Sequence, residues 1–284
     1  VTGGAGYIGS HLSLSLINLG HKVTIVDNLS NGLKSNIEGL YKLSDNNFNF
    51  DKVDLLEEDK LKEIINRDNI STVFHLASAK SIIESLEKPD FYYKNNVGGF
   101  NSLLNSIEGT RVEYLIFSST AAVYGNPKYL PLDETHSISP INPYAESKAE
   151  IEKELQKFCE EKQLKSISLR YFNPLGAHES GLLKEKTQKY PSNLMPYIQK
   201  VFYGELDILN IFGDDYDTKD GTGIRDYIHM SDLVRGHLAA MSFIRLMDKK
   251  FEVFNLGLGR GYSVLEVKNT FEKISGVKIP YRYL

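Results

Sequence analysis

Thr2-Gly3-Gly4-Ala5-Gly6-Tyr7-Ile8-Gly9 carries glycines at the spacing of a phosphate-binding loop. One glycine lets the backbone turn at positive φ, a second lets a pyrophosphate approach the amide groups, and a third lets the next helix pack against a strand. That helix is indicated by apolar residues that recur at helical spacing before Gly20, namely Ile8, Leu12, Leu16 and Leu19. We therefore expect this loop to bind the phosphates of a dinucleotide.

A short strand and an acidic residue follow this helix. The strand, Lys22 to Val26, ends in Asp27, which stands about where a dinucleotide site places the carboxylate that accepts both ribose hydroxyls. A 2′-phosphate would meet this carboxylate with like charge, and no arginine stands beside Asp27 to receive it. The spacing favours NAD over NADP. The alternative is a glycine-rich turn followed by an ordinary strand-end aspartate.

Strand and helix patterns alternate as far as about residue 170. Strand patterns at Asn47 to Val53, Thr72 to Ala77, Val112 to Phe117 and Ser166 to Leu169 are separated by helical ones. This rhythm predicts an α/β fold with a doubly wound parallel sheet of the Rossmann type over residues 1–170. Residues 171–284 are richer in turns, which predicts a smaller C-terminal α/β lobe that mostly binds substrate, with some segments returning to the sheet.

Composition excludes several classes of protein. The 284 residues are 41% apolar, which is enough for a full core, and a net charge of −4 without a basic stripe argues against a nucleic-acid partner. The single Cys159 gives no disulfide framework and fits a reducing cytoplasm. No apolar run approaches the ~18 residues of a membrane span. The histidines lack ligand spacing and the acidic run Asp214 to Asp220 lacks the glycine of a calcium loop, so we expect no metal site.

The clearest candidate for acid–base chemistry is the pair Tyr144 and Lys148. Pro143 begins a predicted helix to about Lys162, and residues four apart on a helix share a face. An adjacent ammonium, the helix N-terminus and an oxidised nicotinamide would each favour the phenolate of Tyr144. Lowering its pKa to about 7 requires ~4 kcal/mol. Tyr124 and Lys128 have the same spacing, but Gly125-Asn126-Pro127 forbids a helix between them.

Other polar residues stand where ligands bind in such sheets, at the carboxyl ends of the strands. The strand that ends in Ser118-Ser119-Thr120 delivers hydroxyls there, although such residues are more often turn formers. Asp54, Lys80 and Asn95 lie where a dinucleotide would pass, with solvated surface groups as the alternative. Arg225 could bind a phosphate bidentately, with an ion pair to Asp226 as its alternative.

Together these residues resemble the extended short-chain dehydrogenase/reductase family. Further segments are similar to its UDP-glucose 4-epimerase branch over nearly the whole chain: Ala79 to Ser85, Arg170 to Ala177, Asn193 to Tyr197 and Asp220 to His229. Dehydratases of this family carry an Asp-Glu pair where this chain has Ala121 and Ala122. The resemblance implies NAD-dependent 4-epimerisation of a UDP-hexose, UDP-glucose or UDP-galactose, through a transient 4-keto sugar in galactose metabolism.

The resemblance also implies roles for individual residues. Thr120, Tyr144 and Lys148 would be catalytic. The NAD contacts would be Gly3, Gly6, Tyr7, Ile8, Gly9, Asp27, Asn28, Asp54, Leu55, Leu76, Ala77, Lys80, Asn95, Lys148 and Phe172. The UDP-sugar contacts would be Thr120, Asn173, Asn193, Leu194, Phe212 and Arg225. Members of the family usually form homodimers through two helices of each subunit, here Asp90 to Ile107 and Tyr144 to Lys162.

The resemblance also leaves alternatives open. We expect the chain to be truncated at both ends, because Val1 stands almost at the glycine loop and the family continues past Leu284 with a second phosphate-contacting arginine and the residue that gates acetamido sugars. One alternative is an epimerase of UDP-pentoses or UDP-N-acetylhexosamines. A non-catalytic NAD-binding regulator is a different class, against which the intact Thr120, Tyr144 and Lys148 argue.

Overall fold

The computed structural model describes residues 1–186 and 193–284. The chain divides into two compact units. The first comprises Val1–Tyr171, Gly176–Lys186 and His229–Leu256. The second comprises Phe172–Leu175, Gly257–Leu284 and the described residues of 187–228.

Ten α-helices and eleven strands are found in the described residues. The helices are α1 Tyr7–Asn18, α2 Lys34–Leu43, α3 Glu58–Arg67, α4 Ile82–Glu87, α5 Pro89–Tyr92, α6 Gly99–Ile107, α7 Pro143–Glu161, α8 Leu194–Phe202, α9 Met230–Phe243 and α10 Val264–Ser275. The strands are β1 Thr24–Val26, β2 Asn49–Asp51, β3 Thr72–His75, β4 Tyr114–Thr120, β5 Lys165–Tyr171, β6 Asn173–Leu175, β7 Leu209–Ile211, β8 Ile224–His229, β9 Phe251–Leu256, β10 Gly261–Ser263 and β11 Tyr281–Tyr283.

A parallel sheet forms the centre of the first unit. β1 pairs with β2, β4 lies between β3 and β5, and β9 pairs with β5, all in parallel. Thr2 bridges Val26 of β1 and His75 of β3, so the order across the sheet is β2, β1, Thr2, β3, β4, β5, β9. α1 packs against α2 and α9, and α3 packs against α6. The predicted α/β fold with a parallel sheet is confirmed.

The core of the first unit forms where β3 and β4 meet helices α3, α6 and α7. Leu115 and Phe117 of β4 pack in one cluster with Phe100 of α6 and with Leu155 and Cys159 of α7. Burial of these apolar side chains fixes the two central strands beneath the helices. β4 therefore ends in a fixed position, with Ser118, Ser119 and Thr120 at the carboxyl edge of the sheet.

Two predicted helices carry the residues of interest, and one of them is irregular. α7 begins at Pro143, as the sequence predicts. The predicted helix Asp90 to Ile107 consists instead of α5, a π-helix at Tyr93–Gly98, and α6. A π-helix bonds each residue to the fifth one along, which the apolar spacing of the sequence does not reveal.

The second unit contains two small sheets and two helices. β10 pairs with β8 in the antiparallel sense, within a three-stranded sheet that includes β6, and β11 pairs with β7 in parallel. α8 contributes Ile198 and Val201 to a cluster with Leu209, Ile211 and Ile279. Among the helices of 1–186 and 193–284, none is long and apolar enough to cross a membrane.

Candidate active site

The glycine loop has the shape of a phosphate cradle. Gly3 has φ +70°, and a Cβ there would lie 2.6 Å from the backbone nitrogen of Ala77. A Cβ at Gly9 would lie 2.2 Å from the carbonyl oxygen of Gly3. The N-cap of α1 is Gly6, so no side chain bonds the first amide groups of the helix, and its first turn carries no acidic residue. These features fit a pyrophosphate held at a helix N-terminus.

Asp27 is held rigidly at the end of β1. Its carboxylate accepts hydrogen bonds from the backbone N–H groups of Ala5 at 3.0 Å and Leu29 at 2.8 Å. Burial raises the pKa of this carboxyl, and the two backbone donors oppose the rise. Beside it, Asn28 donates to the carboxylate of Asp54 at 2.7 Å, which links the ends of β1 and β2. The structure thus brings these three predicted NAD contacts to one edge of the sheet.

The end of β3 borders the same loop. The N–H of Leu76 donates to the carbonyl of Thr2 at 3.1 Å, and Ala77 follows next to Gly3. The predicted contact Asn95 donates at 2.9 Å to the side chain of its neighbour Asn96. Asn96 is buried and also bonds both backbone groups of Ala79, at 2.8 and 3.1 Å. The sequence does not single out Asn96, because its bonds to Ala79 depend on tertiary structure.

A segment that the sequence did not single out lies against the predicted NAD contacts. This segment, Gly176–Lys186, is called the strap. It accepts a hydrogen bond from the Tyr7 hydroxyl at the carbonyl of Gly176 and forms an ion pair between Glu185 and Lys80 at 2.7 Å. It is also tied to α1 and α2, where His178 donates to His11 at 3.0 Å and Lys184 donates to Asn36 at 2.8 Å. Two predicted NAD contacts, Tyr7 and Lys80, thus meet the strap.

The three predicted catalytic residues come together. Thr120 is the last residue of β4, and its hydroxyl lies close enough to the Tyr144 phenol to lower the pKa of that phenol. The N–H of Ala122 donates to the Thr120 oxygen at 3.1 Å, which leaves the hydroxyl proton for another acceptor. Lys148 lies one turn after Tyr144 on α7, and its Nζ donates to the carbonyl of Ser118 at 2.9 Å. A base, a hydroxyl and an ammonium thus lie at one strand end.

Burial opposes charge on both titratable members of this group. Burial raises the pKa of Tyr144 to about 12, and the neighbouring Thr120 hydroxyl opposes this rise only in part. Burial also lowers the pKa of Lys148 to about 7, while the nearby Glu152 carboxylate opposes that change. The expected depression of the Tyr144 pKa therefore does not arise from the chain alone.

The remaining predicted contacts lie in the second unit. Asn173 donates to the carbonyl of Asp226 at 2.9 Å. Phe172 neighbours Gly257, Asn193 is the N-cap of α8, Leu194 is its first residue, and Phe212 is exposed just after β7. Arg225 on β8 is exposed and donates to the carbonyl of Ile224 at 2.7 Å. In the described part of the chain it has no ion pair, because Asp226 instead accepts from the N–H groups of Leu258 and Gly259.

No cluster of three or more His, Cys, Asp or Glu side chains suited to a metal ion occurs in residues 1–186 and 193–284. Cys159 is a buried free thiol, and burial raises its pKa to about 12.

Comparison with known proteins places the chain among related sequences. The family model of the NAD dependent epimerase/dehydratase family matches residues 1–257. UDP-glucose 4-epimerase of Bos taurus is 44% identical over 290 residues, which is 99% of this chain and 83% of that protein. The crystal structure of a UDP-glucose 4-epimerase from Stenotrophomonas maltophila, with bound NAD and formylated UDP-arabinopyranose, has a TM-score of 0.96 and 40% identity. The match covers 100% of this chain and 84% of that one.

A second solved structure agrees with the first. It is UDP-glucose 4-epimerase from Bifidobacterium longum in complex with NAD⁺ and UDP, with a TM-score of 0.93 and 42% identity. The match covers 100% of this chain and 84% of that one.

Proposed function

Because this chain belongs to the NAD-dependent epimerase/dehydratase family, we infer that it interconverts UDP-glucose and UDP-galactose at carbon 4 of the sugar, with NAD as its cofactor. The carrying observation is the group formed by Thr120, Tyr144 and Lys148 at the carboxyl edge of a sheet that also carries a phosphate cradle. Ala121 and Ala122 stand where a dehydratase has its acid and base, so elimination of water lacks its catalysts. The reaction belongs to galactose metabolism.

Tyr144 acts as the general base. Its phenolate removes the proton of the 4′-hydroxyl, and Thr120 donates a hydrogen bond that holds the sugar oxygen beside it. Lys148 supplies positive charge next to the phenolate, and its own position is fixed by the carbonyl of Ser118. Bound NAD would supply the acceptor for the hydride of carbon 4 and would return that hydride to the opposite face of the 4-keto sugar once the sugar has rotated. Tyr144 then returns the proton, and the 4-keto sugar becomes the epimeric alcohol.

The NAD-binding residues that we propose are those that the sequence predicts. The cradle, made by Gly3, Gly6 and Gly9, accommodates the pyrophosphate, and Asp27 accepts the hydroxyls of the adenosine ribose. Asn28, Asp54 and Leu55 would contact the adenine end. We keep Phe172, Asn173, Asn193, Leu194, Phe212 and Arg225 as proposed contacts of the second unit, and we propose residues 171–284 as mostly a substrate-binding lobe.

Substrates other than UDP-glucose and UDP-galactose are the second candidate. The chain could act on UDP-pentoses or UDP-N-acetylhexosamines, and the pentose derivative bound to the Stenotrophomonas maltophila relative favours testing this class. A non-catalytic NAD-binding regulator would not need a hydroxyl, a phenol and an ammonium at one strand end. The catalytic reading is therefore the one we adopt.

We propose further that the protein is cytoplasmic and forms a homodimer. A single buried thiol without a disulfide fits a reducing compartment. Large apolar side chains are exposed on two adjacent helices, namely Ile82, Ile83 and Leu86 of α4 and Phe91 of α5. Exposed apolar groups in one place are typical of subunit interfaces. α5 is the first part of the predicted dimer helix Asp90 to Ile107, and α4 directly precedes it in the chain.

The function is tested by turnover and by the identity of the bound nucleotide. We expect the purified protein to convert UDP-galactose into UDP-glucose and to release NAD, not NADP, on denaturation. Tyr144→Phe should lower kcat at least ~10²-fold while NAD stays bound. Tyr129→Phe, which removes an exposed hydroxyl bonded to Asp133, is the matched control and should keep full activity. Release of mainly NADP, or an active Tyr144→Phe protein, would contradict the assignment.

A further inference from the structure

Ser118, Ser119 and Thr120 at the end of β4 have hydroxyls with three different partners. The Ser118 oxygen accepts from Tyr171, and the Thr120 hydroxyl faces the Tyr144 phenol. The hydroxyl of Ser119 donates to Oε1 of Glu152 at 2.5 Å. The catalytic proposal uses the contact between Thr120 and Tyr144 but not the bond between Ser119 and Glu152. Glu152 lies two turns after Tyr144 and one turn after Lys148, on the same face of α7.

Glu152 forms a buried ion pair with Arg170 of β5. The side chains are 8% and 6% exposed. Arg170 donates from Nε to Oε1 at 3.0 Å and from Nη2 to Oε2 at 2.5 Å, in the bidentate geometry. Its Nη1 donates to the hydroxyl of Tyr124 at 3.1 Å. Both carboxylate oxygens therefore have a partner, and the pair joins α7 to β4 and β5.

A buried ion pair is a weak source of stability, because desolvation of the two charges offsets most of their attraction. An apolar pair of similar volume would serve packing equally well. The pair stands next to the residues that carry the chemistry, and it bonds Ser119, which lies between the carbonyl that holds Lys148 and the hydroxyl that faces Tyr144. Its position suggests a role in geometry and charge at the site.

The charged and titratable groups around Lys148 are few. α7 contributes Tyr144 and Glu152, β5 contributes Arg170 and Tyr171, and β3 contributes His75. Burial lowers the pKa of His75 to about 3 and raises that of Tyr171, so both are neutral at neutral pH. Among these groups Glu152 is the one anion, and it raises the pKa of Lys148 against the effect of burial.

We propose that Glu152, held by Ser119 and Arg170, is a positioning residue for the epimerase reaction. It fixes the rotation of α7 so that Tyr144 faces Thr120, and its negative charge favours the ammonium form of Lys148. The proposal rests on the proposed function, since it assigns a role in the same site. Glu152 does not touch substrate or cofactor; it acts through Lys148 and through the strand end.

The test is Glu152→Gln in the NAD-loaded protein, which preserves the shape of the side chain but removes its charge. We expect kcat for UDP-galactose to fall about 10-fold with KM within two-fold of the wild-type value, because an interaction of the transition state is lost. The alkaline limb of the kcat profile should move to lower pH by about one unit, as Lys148 loses its proton earlier. Glu160→Gln, an exposed change on the same helix, is the matched control.

A second variant separates positioning from charge. Ser119→Ala removes one hydrogen bond and leaves Glu152 and Arg170 paired, so we expect a smaller loss of kcat and an unmoved pH profile. If Glu152→Gln fails to fold, the double variant Glu152→Gln/Arg170→Gln replaces it, because it leaves no unpaired cation. We expect the same shift of the alkaline limb in the double variant. If the variant that lacks the Glu152 charge folds and keeps the wild-type kcat and pH profile, the proposal is overturned.

The wild-type protein separates this result from a failure of the proposed function. If the wild type does not epimerise UDP-galactose, the proposed substrate is wrong. The positioning role is then judged from the pKa of Lys148 itself, followed by the nitrogen chemical shift of its Nζ, with the Lys148→Met protein identifying the signal. Removing the Glu152 charge should lower this pKa, and an unchanged pKa would overturn the proposal.

Discussion

Lys148 is an ionisable side chain held entirely inside the protein without a carboxylate bonded to it. Its Nζ donates to the carbonyl of Ser118 and lies 4.9 Å from the ring centre of Phe117. A cation–π contact and one carbonyl replace only part of the hydration of an ammonium. Burial accordingly lowers the pKa of Lys148 from 10.5 to about 7. The unfolded chain therefore holds this proton over a pH range in which the folded chain releases it.

We predict that Lys148→Met changes how stability depends on pH in the nucleotide-free protein. Between pH 7 and 9 the unfolded wild-type chain binds more protons at this site than the folded chain does. The free energy of unfolding of the wild type therefore rises by about 2 kcal/mol over this range. The variant lacks that gain. Over this range, the free energy of unfolding of Lys148→Met should thus exceed that of the wild type by most near pH 7 and by less towards pH 9, as measured by urea unfolding.

Lys157→Met on the same helix is the control, because its ammonium is exposed in the wild type. Its stability curve should run parallel to that of the wild type over this range. Parallel curves for Lys148→Met as well would show that the folded protein keeps Lys148 charged.

The residues of the site differ in how far the sequence reveals them. Tyr144 and Lys148 could be predicted because a helix fixes the relation of residues four apart, and Asp27 because it ends the strand after the glycine loop. Glu152 could not be predicted, because an acidic residue on an amphipathic helix usually faces water. Its partner Arg170 reaches it only through the register of β5 beside β4. The placement of Phe172, Asn173 and Arg225 around a substrate stays a prediction.

At the scale of the element, α7 depends on its N-cap. Asn142 accepts a hydrogen bond from the N–H of Ala145 at 2.9 Å, and Pro143 occupies the first helical position. Tyr144 is the second residue of this helix, so fraying of the first turn would displace the proposed base. The cap therefore links the stability of α7 to the chemistry.

We predict that Asn142→Ala lowers the free energy of unfolding by about 1 kcal/mol, the usual effect of losing an N-cap. It should also lower kcat several-fold, because Tyr144 spends part of its time away from Thr120. Ser81→Ala, which removes the N-cap bond to Glu84 in α4, is the matched control and should affect stability alone. Equal kcat losses in the two variants would contradict a local effect on Tyr144.

Element boundaries show which information the sequence lacks. The start of α7 is encoded locally by Pro143, and the end of α10 by Gly276 in the left-handed region. The π-helix at Tyr93–Gly98 is not encoded by apolar spacing, because that spacing continues through it. The bonds of Asn96 to Ala79 and Ser147 accompany it, and they depend on tertiary structure.

At the scale of the whole molecule, the proposed homodimer makes the clearest prediction. Ile83 and Leu86 of α4 are 62% and 63% exposed. A subunit interface would cover such side chains. Removing their apolar surface from water would contribute about 25 cal/mol for each Å² to the free energy of association. We predict that Leu86→Asp converts the dimer into monomers in sedimentation experiments at micromolar concentration, because a buried carboxylate without a partner is unfavourable.

Leu246→Asp is the control, since Leu246 is 80% exposed and lies outside α4 and α5. It should leave the assembly unchanged. A wild-type protein that sediments as a monomer, or a dimeric Leu86→Asp protein, would contradict the proposed interface.

The π-helix also has a consequence for how this chain compares with its relatives in evolution. A π segment is in effect one extra residue within a helix, whose two ends keep their places. A relative with a regular α-helix here would need one residue fewer to keep both ends of the helix in place. Without that deletion, the residue at the position of Asn96 would be rotated by about 100° about the helix axis and would lose its contact with Ala79. An alignment gap of a single position at Tyr93–Gly98 would therefore record the loss of a contact rather than a neutral length change.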